Sequence, residues 1–228
     1  TPKAWRAQGL PRTAGSRGAT PQLRIRGSVV TSGKERAWEN LAGCSPGEVC
    51  ARAEVSYDEA RGVYVVPCFG QGILVCPAQR TFQAQRPAGE RIGTRFDYFA
   101  SLVILSYLAQ AKAVPPSGHW VKPWDLRSGD VYYRGSHVLP LDRLSKAYEG
   151  RLPDFIQRAE LLGGSRLSFG AASFKLLPLP RMPVALILWN GDDEFPGRAD
   201  LLLDSTCELH LPADVIWSAA MLSVLMMS

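Results

Sequence analysis

The sequence predicts an α+β fold: a small, mostly antiparallel sheet packed against several helices, with an extended basic arm at the N-terminal end. Three observations lead there. Short β-branched and aromatic runs sit beside Gly, Pro and Asn turn signals, helix-periodic runs lie between them, and Lys and Arg crowd the first 34 residues. At 228 residues and 46% hydrophobic, the chain can bury one ordinary core, so the expected organisation is an arm over 1–34 and a single domain over 35–228.

The arm comes first in the chain. Residues 1–36 hold eight Lys/Arg against one acid, whereas 37–228 hold eighteen against twenty, so the basic character belongs to the arm and not to the domain. Rich in Arg, Gly, Pro, Ser and Thr and poor in periodic apolar residues, it is expected to stay disordered without a partner. Its Arg6, Arg12, Arg17, Arg24 and Arg26 are the candidate contacts to that partner. An acid-free leader that starts at Thr1 reads either as the remnant of an organelle transit peptide or as a trimmed fragment.

Next, Lys34–Ala42 and Gly47–Ala53 read as short helices, the second begun by Ser45 as cap and Pro46 at the first helical position. Residues 62–69, 73–76 and 80–83 suggest an antiparallel meander with Gly70-Gln71-Gly72 as its tight turn. A helix over 96–114 follows; its apolar run of twelve residues is too short for a bilayer, so it reads as the core helix. Pro115-Pro116 ends it, and the stretch to Asp130 reads as an ordered surface loop carrying His119, Trp120 and Trp124. A short strand over 131–133 and amphipathic helices over 140–149 and 153–162 come next, the last stopped by Gly163-Gly164. Ser173–Leu177 supplies a strand beside Val184–Trp189, whose unbroken apolar character marks a central strand buried on both faces. Ala199–Asp204 returns as its hairpin partner, which leaves Asp192, Asp193 and Glu194 at the tip outside the core. The last helix, with Pro212 at its first position and Asp214 in its first turn, shows Val215, Ala219, Leu222 and Met226 at spacings of three to four.

The run PVALILWNGDDEFP through LLDSTCELHLPAD, together with AWENLAG at 37–43, VYVVP at 63–67 and VPPSGHW at 114–120, resembles the prokaryotic family described as domain of unknown function 3786. The resemblance spans roughly 35–226 and leaves the arm outside. It implies a compact α+β domain without an established activity. Relatives that carry an additional iron–sulfur domain have closely spaced cysteines, which this chain lacks.

The chemistry-bearing residues form no familiar constellation. Asp192, Asp193 and Glu194, joined by Asp204, offer oxygen ligands suited to Mg²⁺ or Ca²⁺, but adjacent acids on a hairpin tip more often face water or a partner. Cys44, Cys50, Cys68, Cys76 and Cys207 show neither C-x-x-C nor zinc spacing; free thiols in a reducing compartment are the plain reading, and a four-cysteine cluster the sharper one. Of the three histidines, only His210 has a local grouping, with Cys207 and Asp214, and a core or capping hydrogen bond suits it better than a catalytic role. G-x-S-x-G, H-E-x-x-H, Walker A and G-x-G-x-x-G are missing. No metal and no cofactor are therefore expected. One Trp in the arm and a slightly acidic domain argue against nucleic acid, and an acidic protein surface or anionic headgroups would attract the same charges.

The expected function is a non-catalytic accessory subunit docked on a larger assembly with an acidic surface near a membrane. Its most concrete form is the stromal side of photosystem I in a plastid. The competing expectation is a cytoplasmic small-ligand or cofactor-handling protein, or an enzyme of one-carbon metabolism. It would work through a pocket formed by His119, Trp120, Trp124 and the acidic hairpin, with His210 nearby.

Overall fold

The computed structural model describes residues 33–84, 98–129 and 138–228. The arm residues Arg6, Arg12, Arg17, Arg24 and Arg26 and the strand expected over 131–133 lie outside them.

The first layer starts with α1 (Gly33–Ala42), which buries Ala37, Trp38 and Leu41, and α2 (Pro46–Ala53). The Ser45 hydroxyl accepts the Glu48 N–H at 3.4 Å and Pro46 occupies the first turn, the start that the sequence predicts. Strands β1 (Ser56–Asp58), β2 (Val63–Cys68), β3 (Gln71–Cys76) and β4 (Thr81–Ala84) form a four-stranded antiparallel meander in chain order. β1 is too short to show a period in the sequence. The β2–β3 turn is Phe69-Gly70, because Cys68 pairs with Gln71. Both turn residues have positive φ, +48° and +70°. The expected Gly70-Gln71-Gly72 turn is thus displaced by one residue. The strained Phe69 is held by complete burial and by its N–H, which donates to the Leu177 carbonyl of the second sheet at 2.8 Å.

Helix α3 (Tyr98–Gln110) packs on α1 and α2 and buries Val103, Ile104, Leu105, Tyr107 and Leu108. It ends four residues before the expected Val114. Pro115 and Pro116 favour an extended approach, and the next groups are already engaged: Arg52 binds the Ala111 carbonyl and Lys112 N–H donates to His210. The following loop adds strand β5 (Trp120–Val121) and a single 3₁₀ turn at Pro123–Asp125. Helices α4 (Leu141–Ala147) and α5 (Leu152–Leu161) come next, and α5 stops at Gly163, φ +70°, with Gly164 N–H returning to the Ala159 carbonyl at 2.9 Å.

The strands fall into two sheets rather than one. The second runs β5-β9-β8-β7-β6, with β6 (Ser165–Leu167), β7 (Ala172–Leu179), β8 (Met182–Trp189) and β9 (Arg198–Asp204), all antiparallel. β8 is central and buried along its length except at Trp189, as its continuous apolar run requires. Its inner residues Val184, Leu186 and Leu188 join Phe174, Leu176, Leu201 and Leu203 in one core with the helices. One helical turn, α6 (Cys207–His210), follows β9, and α7 (Ala213–Met227) closes the fold, packed on α3 and β7. Pro212 is the cap of α7 and not its first residue. The expected stripe of Val215, Ala219, Leu222 and Met226 is buried, but so are Ile216, Trp217, Ala220 and Val224, so α7 is enclosed nearly all round.

The result is an α+β domain whose helices cover the inner face of the second sheet. Among the described residues no helix is long and apolar enough to cross a membrane.

Candidate functional site

Two regions at opposite ends of β9 concentrate the polar chemistry. At its C-terminal end Asp204 is fully buried and accepts five hydrogen bonds: from Ser117 N–H, Ser117 Oγ, Gly118 N–H, Thr206 N–H and Thr206 Oγ1, at 2.6–3.1 Å. Burial by itself would raise its pKa, but the bonds from Thr206, Ser117 and Gly118 outweigh that and hold the carboxyl below its ordinary value. Two stretches that carry the family resemblance, PPSGHW and LLDSTC, are thereby brought together by one side chain. Gly118, at φ +73°, lets the backbone turn its N–H onto the carboxylate. Glu208, one turn further, accepts from Arg127 N–H, Ser128 N–H and Ser128 Oγ and fixes the loop after the 3₁₀ turn. Its pKa is also lowered: burial opposes the charge, and the Ser128 and Arg127 donors prevail.

Behind these brackets lies a second polar group. Arg52 donates to the Leu108 and Ala111 carbonyls at the end of α3, and Arg181 Nε donates to the Arg52 carbonyl at 2.9 Å. Tyr107 OH donates to the Ala53 carbonyl and accepts from Arg181 N–H. His210 is 2% exposed; its Nδ1 accepts Lys112 N–H at 3.3 Å, which leaves the proton on Nε2, where no described partner meets it. Burial and the Arg181 charge push its pKa down, against a smaller opposite pull from Asp204. Cys207 does not face it as an activated nucleophile: burial drives that thiol up to about 12. The buried Cys68 thiol is likewise raised to about 12.

At the other end of β9 the β8–β9 loop, Asn190–Gly197, is shaped by Asp192. Its Oδ1 accepts Glu194 N–H at 3.0 Å and Phe195 N–H at 2.7 Å, and its own N–H donates to the Phe195 carbonyl. Those donors keep the Asp192 carboxyl below its ordinary pKa. A cavity of about 540 Å³ opens between this loop and the α4–α5 corner, lined by Tyr148, Glu149, Leu152, Leu188, Asp193 and Phe195 among others.

The sequence-predicted residues are therefore divided. His119 and Trp120 stand at the Asp204 end, where Trp120 pairs with Asp204 in the sheet and the His119 carbonyl accepts Ser205 N–H. Trp124 is exposed on the neighbouring 3₁₀ turn beneath Lys122, 5.2 Å from its ring centre. Asp192, Asp193 and Glu194 lie past the Arg198 end of the seven-residue β9, about 20 Å away at the rise of an extended strand. The structure thus forms no joint pocket of the Trp/His loop and the acidic hairpin. Asp204, grouped with the hairpin acids as a cation ligand, is instead a bracket for the 117–119 backbone. Among the described residues no three His, Cys, Asp or Glu side chains are placed to hold a metal ion. Glu208, Arg52 and Arg181 went unnoticed in the sequence because their partners are backbone groups 56–129 residues away. The Asp-Ser-Thr run at the end of β9 was the one local signal, since such residues bond to nearby backbone.

A family model described as Domain of unknown function (DUF3786) matches residues 45–226, beginning ten residues after the start that the sequence motifs suggest and leaving α1 outside. No curated protein and no solved structure matches the chain.

Proposed function

We propose, for a chain that belongs to the DUF3786 family, that it is a non-catalytic accessory subunit docked on a larger assembly through its basic N-terminal arm. One observation carries this reading. The buried Asp204 and Arg181 and the half-buried Glu208 are engaged by backbone and side-chain partners within the domain as internal brackets, so the chemistry of the domain serves its own architecture. A general base or nucleophile would instead need a free lone pair directed at a bound reactant. For outside contact the chain offers a strong charge asymmetry: seven Lys/Arg and no acid over residues 1–34, attached to a domain with a small excess of acids.

Such an arm is drawn to an acidic surface, and its hold weakens with salt as screening shortens to about 8 Å at physiological ionic strength. The assembly proposed for it is photosystem I, on the stromal side of a plastid thylakoid. Co-sedimentation of the full chain and of a form lacking residues 1–34 with photosystem I particles, at low and at high salt, is the test. The full chain should sediment with the particles at low salt and be released at high salt, and the truncated form should stay in the supernatant. Equal retention of both forms would overturn the arm as the docking element, and retention of neither would overturn photosystem I as the assembly.

A further inference from the structure

We infer that the cavity between the α4–α5 corner and the β8–β9 loop is a docking groove for an arginine-bearing segment of a partner chain. The inference extends the docking reading above and is independent of the arm. The floor is apolar: Leu188 is buried, and Leu152 packs against the core. The wall adds Phe195, which is 67% exposed although it is a large apolar side chain, and Tyr148. The rim is acidic, with Glu149, Asp192 and Asp193, and among the described residues no Lys, Arg or His lines the cavity.

Two neighbouring arginines already have partners. Arg151 forms a 2.7 Å ion pair with Asp154. Arg198 lies over the Trp189 ring, 4.6 Å from its centre, and 3.6 Å from Asp200. The groove therefore presents negative charge and three aromatic residues, of which Trp189 already carries Arg198 and Tyr148 and Phe195 have no described cation over their rings. A guanidinium suits that combination better than an ammonium, since it stacks on rings while its fork of N–H donors reaches carboxylates. The groove is also preformed. Asp192 fixes the loop, and Gly191 permits its closure, because a Cβ there would lie 2.6 Å from Gly197 N. Binding then requires little further ordering of the loop itself.

The test is fluorescence anisotropy of the purified full chain with a fluorescein-labelled twelve-residue peptide of alternating arginine and leucine. Saturable binding is expected. Phe195→Ala and the pair Glu149→Gln/Asp193→Asn should each weaken it at least tenfold, whereas Glu39→Gln/Glu48→Gln, on exposed acids of α1 and α2, should leave it unchanged. Replacing arginine by lysine in the peptide should weaken it several-fold. Asp192 is left intact because it holds the loop, and circular dichroism checks that each variant is folded. Equal binding by all variants, equal weakening by the α1/α2 control pair, or no preference for arginine over lysine would overturn the groove. Since no assembly is present, failure here is separate from failure of the arm in co-sedimentation.

Discussion

Gly70 and Gly163 face each other backbone to backbone: a Cβ on Gly163 would lie 3.0 Å from the Gly70 Cα, and one on Gly70 3.2 Å from the Gly163 Cα. The contact joins the β2–β3 turn to the end of α5, beside the Phe69–Leu177 hydrogen bond that links the two sheets.

Replacing Gly163 by Ala should destabilise the domain by about 2 kcal/mol or more. The left-handed conformation at φ +70° by itself costs roughly 1–2 kcal/mol for a residue with a Cβ, and the neighbour that must yield is backbone. Urea melts measure it, and a loss under about 0.5 kcal/mol would show that the turn slides apart without cost.

Asp204→Asn should cost roughly 3 kcal/mol, because the amide keeps one accepting oxygen but turns N–H groups toward donors that remain buried. The pH profile gives a second readout. A carboxyl whose folded pKa lies below its unfolded value, about 3.9, contributes stability that is complete above that value and lost as pH falls through the folded one. Wild-type stability should therefore drop more steeply than that of Asp204→Asn below about pH 4. Parallel profiles for the two proteins would remove Asp204 as the bracket.

His210 acts in another window. Its folded pKa is below the unfolded value of about 6.5, so the unfolded chain binds more protons in between, and stability falls as pH drops below about 6.5. His210→Asn retains an acceptor for Lys112 N–H and removes the titration. Thermal melts from pH 7.5 to 5 should slope for the wild type and be flatter for the variant. Identical slopes would mean that the imidazole titrates alike in the folded and unfolded chain.

Trp189→Ala would cost roughly 3–5 kcal/mol if the tryptophan were a core residue of β8, as the apolar run suggests. The ring is instead half-buried at the strand end, under Arg198 and hydrogen-bonded through Nε1 to Asp200 at 2.8 Å. A loss of about 1–2 kcal/mol in denaturant melts is expected, and a value above about 3 kcal/mol would restore it to the core.

Features that depend on neighbouring residues were legible in the sequence. The Val184–Trp189 run made a central strand because only a strand covered on both faces tolerates unbroken apolar residues. Ser45-Pro46 and Gly163-Gly164 marked helix ends because orphan backbone groups at a terminus are met within a turn. The charge imbalance between arm and domain is composition alone. Tertiary structure decided the rest. Asp204 meets Ser117 and Gly118 across 86–87 residues, Arg181 meets Arg52 across 129, and Phe69 takes its left-handed turn because burial and a bond to the second sheet hold it there. The groove likewise exists only where the α4–α5 corner is carried beside the β8–β9 loop. Such pairings are set by which closed arrangement of strands and helices buries the whole core, a choice no local period can encode.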